Sequence, residues 1–166
     1  KAPTGFALDE AVRPVTIAGG ATAHVEARDV PQSHPPKLLV AKVDGETGQG
    51  TPQGDASLAG AEYTVRYYDG YYDTAAAAEA SGAPKRTWVF RSDADGSVPF
   101  DDAHRVSGDA LYHDSAGRPA FPLGTILVHE SKAPTGYLLD STTVFVAKIT
   151  ADGATGETVG AYEAPA

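Results

Sequence analysis

The sequence predicts an all-β sandwich with at most one short helix. Three observations carry that prediction. Runs of six to nine residues rich in Val, Ile, Thr and aromatic side chains recur along the chain. Asp-Gly pairs at Asp44-Gly45 and Asp95-Gly96 close two of these runs as turns. The 166 residues include 18 Gly and 12 Pro, the punctuation of many short strands.

Each element follows from its pattern. Residues 37–44 place Leu39, Ala41 and Val43 on one face and Leu38, Val40 and Lys42 on the other. Apolar residues on both faces imply a strand buried on both sides for part of its length. Residues 61–68 alternate, with Tyr63, Val65 and Tyr67 on one face. Residues 74–80 are the one segment that favours helix, with Asp73 and Thr74 as caps. Residues 87–90 form a strand with the single Trp, Trp88. Residues 125–130 set Ile126 and Val128 against Leu127 and His129, so His129 is expected at the surface. Residues 142–150 are β-branched, and a last strand is expected at about 157–162.

Composition narrows the function classes. The hydrophobic fraction of 42% suffices for one core. A net charge of -9, spread along the chain, argues for a solvated surface and against a nucleic-acid groove. There is no Cys, so stability has to come from a larger core, a metal or another crosslink. No apolar run approaches the ~18 residues of a membrane helix, and no stretch reads as a signal peptide. The absence of Met leads us to expect a chain that begins inside a longer reading frame.

The chain repeats itself. Lys1 to Asp9 (KAPTGFALD) returns as Lys132 to Asp140 (KAPTGYLLD), identical at seven of nine positions. Val15-Thr16-Ile17 then aligns with the apolar run 144–149, and 25–31 (VEARDVP) with 159–165 (VGAYEAP). Residues 1–34 therefore read as the trailing strands of a preceding unit and 35–166 as one complete unit. The Pro-rich join from Pro31 to Pro36 reads as a short, stiff linker.

Three segments carry a family resemblance. Residues 124–137 (GTILVHESKAPTGY) resemble the E-x-K-A-P-x-G-Y signature of SpaA-like, or Cna-B-type, pilin and adhesin domains. Residues 39–48 (LVAKVDGETG) resemble their opening K-V-D-x-x-T-G strand and turn, and 58–65 (LAGAEYTV) their second strand. The three occur in the family's order and span most of 37–166. The resemblance implies a transthyretin-like (prealbumin-like) β-sandwich on a Gram-positive cell surface, in pilus shafts or adhesin stalks. The excursion between Asp69 and Pro122 exceeds the usual spacing, so an elaborated loop region is expected there.

The resemblance also implies an intramolecular isopeptide bond. In such domains a first-strand Lys attacks an Asn or Asp side chain on the last strand, assisted by a Glu. An amine is nucleophilic only when neutral, and burial favours the neutral forms of both a Lys and a nearby carboxylic acid. By motif position Lys42 is the nucleophile and Glu130 the helper acid. The acceptor departs from the pattern, because the sequence has no Asn. That position reads Glu163, or Gly160 under a slightly shifted alignment, and the preceding unit has Asp29 there. Three arrangements of Lys42 and Glu130 stay open: a covalent bond to Glu163, a buried ion pair, or two residues facing water.

Other candidates are weaker. Asp93-Ala-Asp-Gly96 with Asp101 and Asp102 is similar to part of a calcium loop. Its twelfth position is His104 rather than Glu, and strands flank it, so an acidic β-turn is the better reading. The five His lack ligand spacing, and no metal or cofactor is expected. Tyr67, Tyr68, Tyr71 and Tyr72 crowd six residues and read either as a ligand patch or as rings covering one end of the core. No catalytic elbow, triad or phosphate loop appears, so an enzyme is not expected. The leading reading is a structural spacer outside the cell, its partners being neighbouring repeats of the same chain. The alternative is an adhesin module binding a host glycan or matrix protein through the Asp69 to Pro122 excursion. Neither nucleic acid nor a membrane is an expected partner.

Overall fold

The computed structural model describes residues 12–16, 18–20, 22, 40–114 and 116–150, and as backbone the strand residues 6–7, 30–31, 33–34, 38–39, 153–156 and 160–163. In chain order the strands are β1 (Phe6–Ala7), β2 (Val30–Pro31), β3 (Ser33–His34), β4 (Leu38–Asp44) and β5 (Glu62–Tyr68). Helix α1 (Ala75–Ala80) is followed by β6 (Arg86–Arg91), β7 (Ser97–Pro99), β8 (Arg105–Gly108), β9 (Tyr112–His113) and β10 (Pro119–Pro122). The last four are β11 (Gly124–Lys132), β12 (Phe145–Thr150), β13 (Gly153–Gly156) and β14 (Gly160–Glu163).

The fold is β-sheet with one short helix among the described residues. A six-stranded antiparallel sheet runs β13-β12-β11-β5-β6-β8. A three-stranded sheet runs β14-β4-β7, in which β14 is parallel to β4. A second three-stranded sheet runs β3-β10-β9, and β1 pairs with β2. The main core lies between the sheets. Tyr63, Val65 and Tyr67 of β5 enter it as their alternation dictates, beside Ile126 and Val128 of β11, and meet Val40 and Val98 from the facing sheet. Trp88 is fully buried; its indole N–H donates to the Ala110 carbonyl at 3.3 Å, and Phe100, Tyr112 and Phe121 meet it edge-on. Each large side chain buried here contributes roughly 1.5–3 kcal/mol through removal from water.

Several expectations are corrected. The excursion between Asp69 and Pro122 is not a loop region: it forms α1 and β6 to β10. Its Trp88, Phe90, Val98, Phe100 and Phe121 are core residues, and their burial requires ordered strands. β4 is buried on one face only between residues 40 and 44. Val40, Lys42 and Asp44 point inward, while Ala41 is exposed and Val43 half-buried. Helix α1 starts where expected, with Thr74 Oγ1 accepting from the Ala77 amide at 3.2 Å. It lies on the outer face of the large sheet, where Ala78 packs with Tyr68 and Leu127. That second, smaller core half-buries His129, which is therefore not a surface residue.

The N-terminal segment also differs from its repeat. Ser33 and His34, in the join, pair with Pro122 and Phe121 as an edge strand. Residues 12–16 are exposed and form no strand, although Val15 aligns with the β12 region. β12 gains its partner from β11. The first KAPTG copy and Asp29 lie outside the described residues. At the far end of the large sheet, the edge strand β8 carries Arg105, whose Nη1 donates to the carbonyls of Gly108 and Asp109 at 3.3 and 3.2 Å.

Two glycines show how turn and packing combine. Gly96 has φ +78°, and a Cβ there would stand 2.2 Å from the Lys42 carbonyl oxygen. Gly117 has φ +76° and open space around it. We expect Gly117→Ala to lose about 1 kcal/mol from backbone strain alone and Gly96→Ala to lose about 3 kcal/mol or more. Urea denaturation followed by Trp88 fluorescence measures both; equal losses would contradict the close approach.

Candidate functional site

The site forms where two sheets bring opposite charges together. On β4 the period of two aligns Val40, Lys42 and Asp44. On β11 it aligns Ile126, Val128 and Glu130. These faces meet across the core, so Lys42 and Glu130 are pulled inward with their apolar neighbours. Lys42 is 1% and Glu130 4% exposed, and Lys42 Nζ stands 2.9 Å from Glu130 Oε1. The other oxygen, Glu130 Oε2, is buried with no hydrogen-bond partner among the described residues. Of the three arrangements open in the sequence, the one with both residues facing water is thereby removed.

The backbone around Lys42 is held by the Asp95-Gly96 turn. The Lys42 amide donates to the Gly96 carbonyl at 2.7 Å, and Gly96 must be glycine for that approach. Asp44 closes the strand. Its Oδ1 accepts from the Glu46 and Thr47 amides, Thr47 Oγ1 and Gln53 Nε2 at 2.8–3.1 Å. The Gly48 amide returns to the Asp44 carbonyl at 2.7 Å. The D-G-E-T-G run is thus a turn wound round one carboxylate.

The KAPTGY corner returns the chain to the same place. After β11, the Thr135 carbonyl accepts from Ser57 and the Tyr137 amide bonds the Pro134 carbonyl. Gly136, at φ +87°, leaves only 2.8 Å between its virtual Cβ and Ala56 Cβ. The corner turns Tyr137 inward to 6% exposure, where its hydroxyl donates to Asp44 Oδ2 at 2.7 Å. Lys42 Nζ lies 5.7 Å from the centre of the Tyr137 ring. Hydrogen bonds from the Thr47 backbone and Tyr137 hold the Asp44 carboxyl down at about 2, so it is ionised. Burial, then the bond to Asp44, raises the Tyr137 phenol above its ordinary value.

The last strand lies beside this cluster. β14 runs parallel to β4 with Ala161 opposite Lys42 and Glu163 opposite Asp44. Gly160 is opposite Ala41. Register thus places Glu163 two positions beyond the residue facing Lys42, on the neighbouring strand. A buried amine against a carboxyl group can share a proton, and withdrawal of water favours the uncharged pair over the ions relative to solution.

The other candidates are spent on structure. Asp95 Oδ1 accepts from the Ser97 amide and hydroxyl, and the Gly96 amide bonds the Asp93 carbonyl. Asp93 and Asp101 both bind His104, at 3.1 and 2.7 Å, and no group of three metal-ligating side chains assembles among the described residues. The four tyrosines do not form one patch. Tyr67 enters the main core, Tyr68 the second core, Tyr72 packs against the second, and Tyr71 is 56% exposed.

Asp44 and Tyr137 were missed by sequence reasoning, although both stood in the quoted motifs. Asp44 lies two residues after Lys42 and so shares its face, which was the available signal. The inward turn of Tyr137 depends on Gly136 packing against Ala56, a contact 80 residues apart that no local pattern reveals. No protein-family model matches this chain, and no curated protein matches it either.

Two outcomes test this geometry. Lys42→Met or Glu130→Gln should each cost about 3–5 kcal/mol by stranding a buried polar partner, and the double change Lys42→Met/Glu130→Leu should cost less than either. A urea double-mutant cycle measures this; additive losses would show that the pair is not coupled. The second concerns His104. Its bond to Asp101 raises its proton affinity despite burial, so the folded state favours the charged ring. That contribution is complete below pH 6.5 and is lost as pH rises through the higher folded value. His104→Gln should flatten the alkaline side of the stability profile there, and an unchanged slope would contradict the clamp.

Proposed function

We propose that this chain is a load-bearing spacer of a Gram-positive surface protein, a SpaA/Cna-B-type repeat with a transthyretin-like sandwich, working in the cell wall or on the cell surface. The supporting observation is the Lys42–Glu130 pair, sealed at 2.9 Å between two sheets beside the first and last strands of the unit. β4 leads into the unit and β14 leads out of it. Because the two are parallel neighbours, tension between the ends of the unit loads their hydrogen bonds in shear, together rather than one at a time. A polar lock between β4 and β11 couples that loaded pair to the large sheet. The recognition-module alternative has little to stand on, since three of its four tyrosines are committed to packing.

The reading extends to a covalent form of the same lock. Glu130 takes a proton from Lys42, the neutral amine attacks the protonated Glu163 carboxyl, and an Nζ–Cδ bond forms. The proton carried by the attacking nitrogen passes through Glu130 to the departing hydroxyl, which leaves as water. The acceptor is then a Glu where the family resemblance has Asn or Asp.

Intact mass of the full chain and of Lys42→Ala decides the matter. The expected result is loss of one water by the parent and none by the variant, with a peptide map joining residue 42 to residue 163. A full parental mass with Lys42 open to amine reagents would overturn the covalent form. Single-molecule pulling tests the mechanical role: the parent should resist unfolding more than Lys42→Ala, and equal forces would overturn it.

A further inference from the structure

We propose that Tyr137 is the positioning residue of this site: by capping Asp44 and covering Lys42 it reserves the Lys42 amine for Glu130. The inference rests on the reading of Lys42 as the reactive group of this fold. Besides the acceptor Glu163, two carboxylates compete for that amine by position. Glu130 faces it from β11, and Asp44 shares its strand face two residues away, with both side chains fully inside. An amine captured by an ionised Asp44 stays a charged ammonium and is lost as a nucleophile.

The geometry keeps the two apart. Four donors from the Asp44 turn and Gln53 occupy Oδ1, which fixes the carboxylate's orientation. Only Oδ2 is then left to face the core, and there the Tyr137 hydroxyl donates at 2.7 Å. The same ring stands beside Lys42 Nζ, 5.7 Å from its centre, so one side chain both occupies the competing oxygen and excludes water from the amine. Glu130, by contrast, has one oxygen on Lys42 and the other without a partner among the described residues, free to receive a proton. The corner that delivers Tyr137 directly follows the strand that delivers Glu130. One segment therefore supplies both the acid and the cap, and the two ties between β4 and this segment set one another's register.

The test uses the full chain with Glu163→Ala, so that Lys42 stays uncrosslinked. The titration midpoint of Lys42 is read by NMR of 13C-labelled lysine. Adding Tyr137→Phe exposes Asp44 Oδ2 to the amine and should raise the midpoint by about one pH unit or more. Adding Asp44→Asn to that variant should return it to the parental value, since the competing charge is gone. Gly117→Ala, in an open turn away from this cluster, serves as the structural control, expected to lower stability without moving the midpoint. A folded Tyr137→Phe variant with an unmoved midpoint would overturn the proposal. If that variant does not fold, Tyr137→Phe/Asp44→Asn decides: a parental midpoint supports the proposal and a displaced one refutes it. Absence of water loss in the unmodified chain would remove the covalent reading and leave these outcomes intact, so the two failures are distinguishable.

Discussion

A lysine and a glutamate held together without water restrict the fold more tightly than any apolar contact in it. Apolar packing tolerates small shifts and exchanges of partner, whereas a buried charge separated from its counterpart is strongly destabilising. Lys42 and Glu130 sit on strands of different sheets, with no backbone ladder between β4 and β11. Their pairing therefore fixes how the two sheets meet. A slip of one residue in either strand would turn one charge outward and leave the other stranded. The nearby special positions serve this requirement. Gly96 lets a turn approach the Lys42 backbone, Gly136 lets a corner close on Ala56, and Asp44 ties off the strand two residues after the lysine.

The parts of the fold that follow from local periodicity were legible in the sequence. Tyr63, Val65 and Tyr67 face the core and Thr74 caps the helix, whereas the buried meeting of Lys42 and Glu130 is one of three arrangements the sequence left open. The failures have different causes. His129 alternates away from Ile126 and Val128, which usually leads to water, but α1 covers that face of the sheet. Ala41 and Val43 looked as core-like as Val40, yet between residues 40 and 44 β4 is buried on one side only. The stretch between Asp69 and Pro122 seemed an insertion when judged by motif spacing. Its own aromatic and β-branched residues argued for strands, and burial of Trp88 and Phe121 follows them.

Asp44 and Tyr137 show a different limit. Both were visible as letters in a motif, and neither had a role until the chain was folded. An aspartate before a Gly-rich turn usually serves that turn and no more. Here one of its oxygens does so while the other meets a tyrosine 93 residues away. A motif position can thus be occupied for two reasons at once, one local and one distant, and the sequence displays only the first.

The edge strand β8 bears on how the folded chain keeps other strands from pairing with it. A free sheet edge offers carbonyls and amides to any passing strand, and tandem copies of one domain hold identical edges at high local concentration. Arg105 turns its guanidinium back onto the carbonyls of Gly108 and Asp109, and its other nitrogens pair with Asp102. An incoming strand would have to displace that side chain and break its pairing with Asp102. Edge-to-edge pairing at β8 is thereby discouraged.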